Sequence, residues 1–227
     1  STRIRARRPK RLYSKIRAET RPVGSVAIDF GLPILDFGFE IRIPKSQIRN
    51  RTAHSLPVVF LPFFMAVRTI TEYPESVLGQ VGKPVTEFDS GLAELCADMF
   101  DTMYKAEGVG LAAPQIGLNL RLFVMDCNGI KLIAANPEIV YTEGEQSGQE
   151  GCLSVGKVPA VVVRPMKARL KAQNEKGEWF ESEAEGYAAR AFMHETDHCD
   201  GKLFIDHLPK MRRDMVVKRF KKEKNWK

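Results

Sequence analysis

The stretch Phe192-Met193-His194-Glu195-Thr196-Asp197-His198-Cys199-Asp200-Gly201 constrains this chain more than any other. It sets two histidines four residues apart, with a glutamate directly after the first. On a helix, positions i and i+4 lie on one face, about 40° apart. Both imidazoles can then point at one metal ion. Glu195 sits one step round, close enough to reach a water on that metal without being a ligand itself. The chain has only four histidines in 227 residues, so chance placement on a solvated helix is the weaker reading. The pattern reads as a metal-dependent hydrolase and leaves its type open.

A catalytic metal needs three protein ligands and one open position. The extended protease pattern His-Glu-x-x-His-x-x-Gly-x-x-His holds as far as Gly201, but its third histidine position is Phe204. A downstream carboxylate such as Asp206 stays open on spacing alone. Cys152, beside Gly151 in a polar loop, is the better candidate, because a thiolate binds iron or zinc strongly. A single cysteine is more often an inert buried side chain, so its surroundings decide.

The rest of the chain supplies them. Residues 1–70 carry 14 Lys and Arg against 4 Asp and Glu, and residues 210–227 carry 9 against 2, while the net charge is only +7. The ends are basic and the body acidic, which suits contact of the ends with RNA, the ribosome or another anionic surface. Residues 1–22 hold one acid, Glu19, as in a transit peptide or a nucleic-acid-binding arm. Residues 23–64 keep no period. Met65 is the first methionine, and the compact domain is expected from there. Residues 1–64 are thus a basic extension, either accessory, disordered or upstream of the true start. Residues 65–227 form the catalytic domain, ending in a basic helix within 210–227. Cys96, Cys127, Cys152 and Cys199 form no CxxC pair, which favours a reducing compartment over a disulfide framework. No run of 18 apolar residues predicts a membrane span.

Asp89 or Ser90 caps a predicted helix over 89–106, with Leu92, Leu95, Cys96, Met99, Met103 and Tyr104 as its apolar stripe. Gly108, Gly110, Gly117 and Pro114 preclude a regular helix next, and favour a loop whose backbone approaches a ligand. Segments 120–126 and 131–135 read as a hairpin around Asn128-Gly129. Pro137 ends the second strand, 139–143 continues the sheet, and 145–149 is a polar loop. Segments 161–172 and 179–184 form another hairpin. After the metal helix come a short strand over 203–205 and a helix over 209–223. That helix sets Met211, Met215, Val216 and Phe220 against a basic face.

Gly108-Val109-Gly110-Leu111-Ala112-Ala113-Pro114-Gln115-Ile116-Gly117, then Glu150-Gly151-Cys152-Leu153-Ser154, then His194-Glu195-Thr196-Asp197-His198 resemble the three motifs of peptide deformylases, in order and spacing. The resemblance covers residues 65–227, and 1–64 have no counterpart in the usual bacterial enzymes. It implies an α+β fold, in which mixed, mostly antiparallel sheets surround the central His-Glu-x-x-His helix and a helix closes the C-terminus. It implies one divalent metal on Cys152, His194 and His198, Fe2+ in many members, with Zn2+, Ni2+ or Co2+ able to substitute. Glu195 would take a proton from water and return one to the departing amine. The Gln115 amide and the Leu153 N–H would donate to the oxyanion. Val109, Gly110, Gly151, Tyr187 and Ala191 would bind substrate: Gly110 along its backbone, and Val109, Tyr187 and Ala191 around the methionine side chain. Glu150 would pair with Arg164 and brace the cysteine loop, and Asp197 would stand behind the metal rather than on it. Gly156, Pro159 and Met193 depart from the family pattern without removing a ligand or the acid/base.

The implied reaction removes the formyl group from N-formylmethionine at the N-terminus of nascent polypeptides and releases formate. The implied setting is a cytoplasmic monomer without membrane attachment, its basic C-terminal helix contacting the ribosome. Organelle import through the arginine-rich N-terminus is the alternative. Two competing readings share parts of the sequence: a zinc endopeptidase on the same helix, and a ribosome- or RNA-binding module on a degenerate enzyme body.

Overall fold

Asp89 starts the first helix. Its carboxylate accepts the Leu92 N–H at 3.0 Å, which satisfies one of the amides a helix start leaves unpaired. This helix, α1 (Ser90–Lys105), buries Leu92, Cys96, Met99 and Met103, while Tyr104 of the expected stripe is exposed. The computed structural model describes residues 66–156 and 158–226. The expectations for 1–64 and for a start at Met65 lie outside the described residues.

Seven strands follow: β1 (Gly110–Ala112), β2 (Leu122–Cys127), β3 (Ile130–Glu143), β4 (Gln146–Glu150), β5 (Ala160–Arg164), β6 (Lys167–Gln173) and β7 (Trp179–Glu185). An antiparallel five-stranded sheet runs in the order β1-β2-β3-β6-β7, and β4 with β5 makes a separate antiparallel pair. The expected Asn128-Gly129 turn joins β2 to β3, with both residues at positive φ, 51° and 80°. That is the demand of a two-residue turn matching the twist of the strands.

Helix α2 (Tyr187–Cys199) carries the His-Glu-x-x-His motif and packs on one face of the large sheet, α1 on the other. Strand β2 explains how. Phe123 and Met125 join α2's cluster, whereas Leu122 and Val124 join that of α1. A strand buried on both faces reads as a continuous apolar run, here Leu-Phe-Val-Met. Ala188, Ala189 and Ala191 let α2 lie close to the sheet, and Phe192 is fully buried between them, worth about 2–3 kcal/mol. A third cluster gathers Cys152, Val155, Val158, Phe204, Ile205, Val216 and Phe220. The last helix, α3 (Lys210–Glu223), thereby sits against the cysteine loop. The fold is the expected α+β arrangement of mostly antiparallel sheets around α2.

Five local expectations fail. The segment 161–172 is two strands, β5 paired with β4 and β6 paired with β7, so only its second half makes the expected hairpin. The polar segment 145–149 is largely strand β4, paired to β5. Pro137 does not end its strand: β3 runs through it with a register shift between Ala135 and Glu138, and passes from β2 to β6. A bulge tolerates a residue with no N–H to give. Residues 203–205 are no strand: Leu203 caps a 3-10 turn (Phe204–His207) that contains the other two. On α3 only Val216 and Phe220 are buried, while Met211 and Met215 are 74% and 65% exposed.

Candidate metal centre

The i, i+4 spacing does on α2 what geometry requires. His194 and His198 stand side by side with ring centroids 5.0 Å apart. Cys152 meets them from the loop after β4, its Sγ 3.3 Å from His198 Nε2. The three donor atoms lie within 4.8 Å of one another, all on buried residues. A tetrahedral ion with bonds near 2.0–2.3 Å would hold sulfur and nitrogen about 3.6 Å apart. Soft sulfur with two imidazoles is a donor set for zinc or iron. Asp206, left open by spacing, points elsewhere: it accepts the Leu203 N–H and pairs with Arg213.

Electrostatics favour the thiolate at Cys152. Burial pushes the Cys152 thiol up, but the imidazoles of His198 and His194 outweigh it and bring the thiol down to about 5. Glu150 Oε2 lies 3.1 Å from His194 Nδ1. A carboxylate only accepts, so His194 carries a proton on Nδ1, which leaves Nε2 as the ring atom toward the cluster. Burial opposes its charge, but the hydrogen bonds to Cys152 and Glu150 hold the imidazole well above its ordinary value, so a metal ion would displace a proton from it.

Glu150 is a hub. It is 4% exposed and also takes Arg164 Nε at 2.9 Å, Arg164 Nη2 at 3.0 Å and Arg190 Nη1 at 2.7 Å. Burial opposes its charge, yet the hydrogen bonds and charges of His194 and Arg164 hold the carboxyl well below the usual range. Arg164 Nη1 donates onward to Asp197 Oδ2 at 2.6 Å, and His207 Nε2 approaches the same oxygen at 2.7 Å. His207 Nε2 is also 3.2 Å from Arg164 Nη1. Its Nε2–H donates to the Asp197 carboxylate, which can only accept, and so Nε2 has no lone pair for Arg164. Asp197 thus stands behind the metal ligands and ties the turn after α2 to β5.

Glu195 follows His194 and is 4% exposed. Burial raises its carboxyl above the usual range against the opposing pull of His194 and His198. Its Oε2 is buried with no hydrogen-bond partner among the described residues. A buried acceptor without a partner needs an explanation. A water at the open position of an ion on Cys152, His194 and His198 supplies one, so the residues fit a metal. Gly110 makes room for this carboxylate: a Cβ built there would stand 2.3 Å from Glu195 Oε1.

Gln115, 1% exposed, is fixed by its Oε1, which accepts the Ala112 N–H at 2.8 Å. Its Nε2 lies 3.5 Å from Cys152 Sγ and 3.4 Å from Ser154 Oγ, aimed into the centre. Beside these groups opens a cavity of about 290 Å³. Val109, Gly110, Gly151, Tyr187 and Ala191 line it, together with Gln115, Cys152, Leu153, His194 and Glu195. Of the expected site residues only His198 is not in its wall. β1 is an edge strand, pairing only with β2 among the described residues, and its buried Gly110 borders the cavity. Sequence reasoning gave Arg190 no role, although it sits four residues before His194 and hence on the same stripe. His207 and Glu107 were missed without a comparable signal.

The family model described as Polypeptide deformylase matches residues 67–214. The peptide deformylase of Acidobacterium capsulatum is 47% identical over 163 residues, which span 70% of this chain and 96% of that protein. A crystal structure of a peptide deformylase from Legionella pneumophila is similar with a TM-score of 0.68 at 46% identity, covering 70% of this chain and 96% of the other. That from Thermus thermophilus gives 0.65 at 43% identity, covering 70% and 99%. Relatives aligned over almost their whole length, at such identity, share this chain's described domain from the arm before α1 to α3. The chain belongs to the peptide deformylase family.

Proposed function

We propose that this chain is a metal-dependent formamide hydrolase that removes the formyl group from N-formylmethionine on nascent polypeptides and releases formate. Cys152, His194 and His198 hold one divalent ion, Fe2+ in the native state, with Zn2+, Ni2+ or Co2+ able to replace it. When bound, that ion supplies Lewis acidity toward a water and the formyl oxygen. The protein does the rest. Glu195, uncharged more readily than an exposed glutamate, takes a proton at its free Oε2 and passes one to the leaving amine. The Gln115 Nε2–H and the Leu153 N–H donate to the developing oxyanion. The Gly110 main chain aligns the peptide, Gly151 leaves space beside the cysteine, and Val109, Tyr187 and Ala191 enclose the methionine side chain. Residues 65–227 form the catalytic domain, and 1–64 a basic extension. The enzyme acts as a cytoplasmic monomer, and α3 contacts the ribosome. Among the described residues no helix is long and apolar enough to cross a membrane.

One observation supports this reading more than any other: a buried cysteine thiol, 3.3 Å from the second motif histidine, shares a cavity wall with Glu195, whose buried Oε2 has no partner among the described residues. The test is formate release from formyl-Met-Ala-Ser by anaerobically isolated protein. Glu195→Gln should keep the metal and lose most activity, and Cys152→Ser should lose the metal. No turnover with fully iron-, nickel- or cobalt-loaded protein refutes deformylation. A Cys152→Ser protein with unchanged metal content points instead to a zinc endopeptidase centre.

A further inference from the structure

The two oxyanion donors lie on separate 3-10 turns, Gln115 on Ala113–Ile116 and Leu153 on Leu153–Val155. β1 leads into the first turn and β4 toward the second. No strand pairing joins β4 and β5 to the large sheet among the described residues. The ladders therefore leave the distance between the two turns unset.

The arm before α1 bridges them. The Thr71 N–H donates to the carbonyl of Gln115 at 2.7 Å, and the Tyr73 N–H donates to the carbonyl of Ser154 at 2.8 Å. Two residues of chain span at most about 7 Å, so this pair of bonds fixes how far apart the turns stand. The arm is itself anchored at both ends. Upstream, the Arg68 N–H donates to Thr102 Oγ1 of α1 at 2.9 Å, and its guanidinium pairs with Asp98 at 2.6 Å. Downstream, Glu72 pairs with Lys224 at the end of α3. The Tyr73 ring stands edge-on to Phe220 of α3, with centroids 6.4 Å apart. Phe220 also closes on Gly156, just past the second turn, where a Cβ would stand 3.0 Å from its ring.

We propose that Thr71 and Tyr73 are positioning residues: their main-chain N–H groups set the Gln115 amide and the Leu153 N–H at the separation one oxyanion needs. This rests on the deformylase reading. Neither residue lines the cavity, so both act through the turns they hold. Oxyanion donors bind more tightly in the transition state than in the ground state. Loosening the arm therefore lowers kcat and leaves KM nearly unchanged.

The test uses metal-loaded full-length protein and formyl-Met-Ala-Ser. T71P removes one N–H, whereas T71A keeps it. T71P should lower kcat about ten- to hundredfold, with KM within about twofold and metal content unchanged. T71A should bring kcat back to within about threefold of wild type, because the bond is made by the main chain. Where proline blocks folding, an α-hydroxy acid placed at position 71 removes the same N–H as a backbone ester and carries the same expectation. Each change is repeated on Q115A, which alone should cost about a hundredfold. There the loss of the Thr71 N–H should add less than about threefold, since no amide is left to place. A purely structural arm would instead lower the melting temperature and multiply its loss with that of Q115A. Unchanged kcat without the Thr71 N–H, a loss carried by KM, independent losses in the double variant, or wild-type kcat in Q115A overturns the proposal. No formate from metal-loaded wild type refutes the deformylase reading itself, and the positioning role with it.

Discussion

Replacing Glu150 by glutamine probes the hub behind the metal while keeping its shape. Each carboxylate oxygen takes two donors. Oε1 receives Arg164 Nε and Arg190 Nη1, and Oε2 receives Arg164 Nη2 and His194 Nδ1. Whichever way a glutamine amide lies, two of these four donors confront an NH2 group. The exchange also strips two arginines, 5% and 3% exposed, of a shared counter-charge. Breaking a buried pair by altering one partner costs about 3–5 kcal/mol, and disturbing the support of a ligating histidine weakens metal binding about 10–100-fold. Urea unfolding of the metal-free protein should therefore show a loss of about 3–5 kcal/mol. Competition against a chelator should show the weaker binding separately. A loss under about 1 kcal/mol with unchanged metal affinity would refute the view that Glu150 organises the centre.

Gly110→Ala should displace Glu195 by about 1 Å, since the new Cβ would otherwise stand 2.3 Å from Oε1; activity should fall about a hundredfold with metal content intact, and rates within threefold of wild type would contradict this. Phe220, fully buried against the cysteine loop, should cost about 3–5 kcal/mol when truncated to alanine, measured calorimetrically, and chelators should then strip the metal faster. Burial, with help from the Glu175 charge, pushes the Cys96 thiol up from 9.0 to about 12. The folded state then holds its proton more tightly than the unfolded one, so this contribution is complete below pH 9 and is lost as pH rises toward 12. Stability measured across that range should fall less in Cys96→Ala than in wild type.

The chemistry of the site was legible where spacing alone defines geometry. His194 and His198 needed only a helix, and the Asn128-Gly129 turn only two residues that accept positive φ. Gly110 was singled out as a place of close approach, but what approaches is Glu195, from a helix far along the chain. β4 was hidden because Gln146-Ser147-Gly148-Gln149-Glu150 has no apolar alternation. It is a strand because β5 pairs with it, and because Gln146 Nε2 bonds the carbonyls of Pro165 and Gly186 at 2.9 and 2.7 Å. Pro137 reads as a stop, but Asn136 at φ 52° turns the chain into a bulge, and its side chain bonds Val85 and Gln173. Met211 and Met215 match a helical stripe, yet the face α3 buries is that of Val216 and Phe220, about 100° round the helix from Met215. Each of these depends on a partner distant in sequence, which no local pattern reports.

Cys152 stands 46 residues before His198, with β5, β6 and β7 between them. Closing a loop of that length costs roughly 3–4 kcal/mol of chain entropy. Domains that fold around an ion keep their ligands close along the chain. Here the antiparallel ladders and the Glu150 hub have already drawn the two ends together. The ion is thus a guest of a finished fold. Chelation should empty the centre without unfolding the sheets, and one divalent cation should exchange for another on an unchanged scaffold.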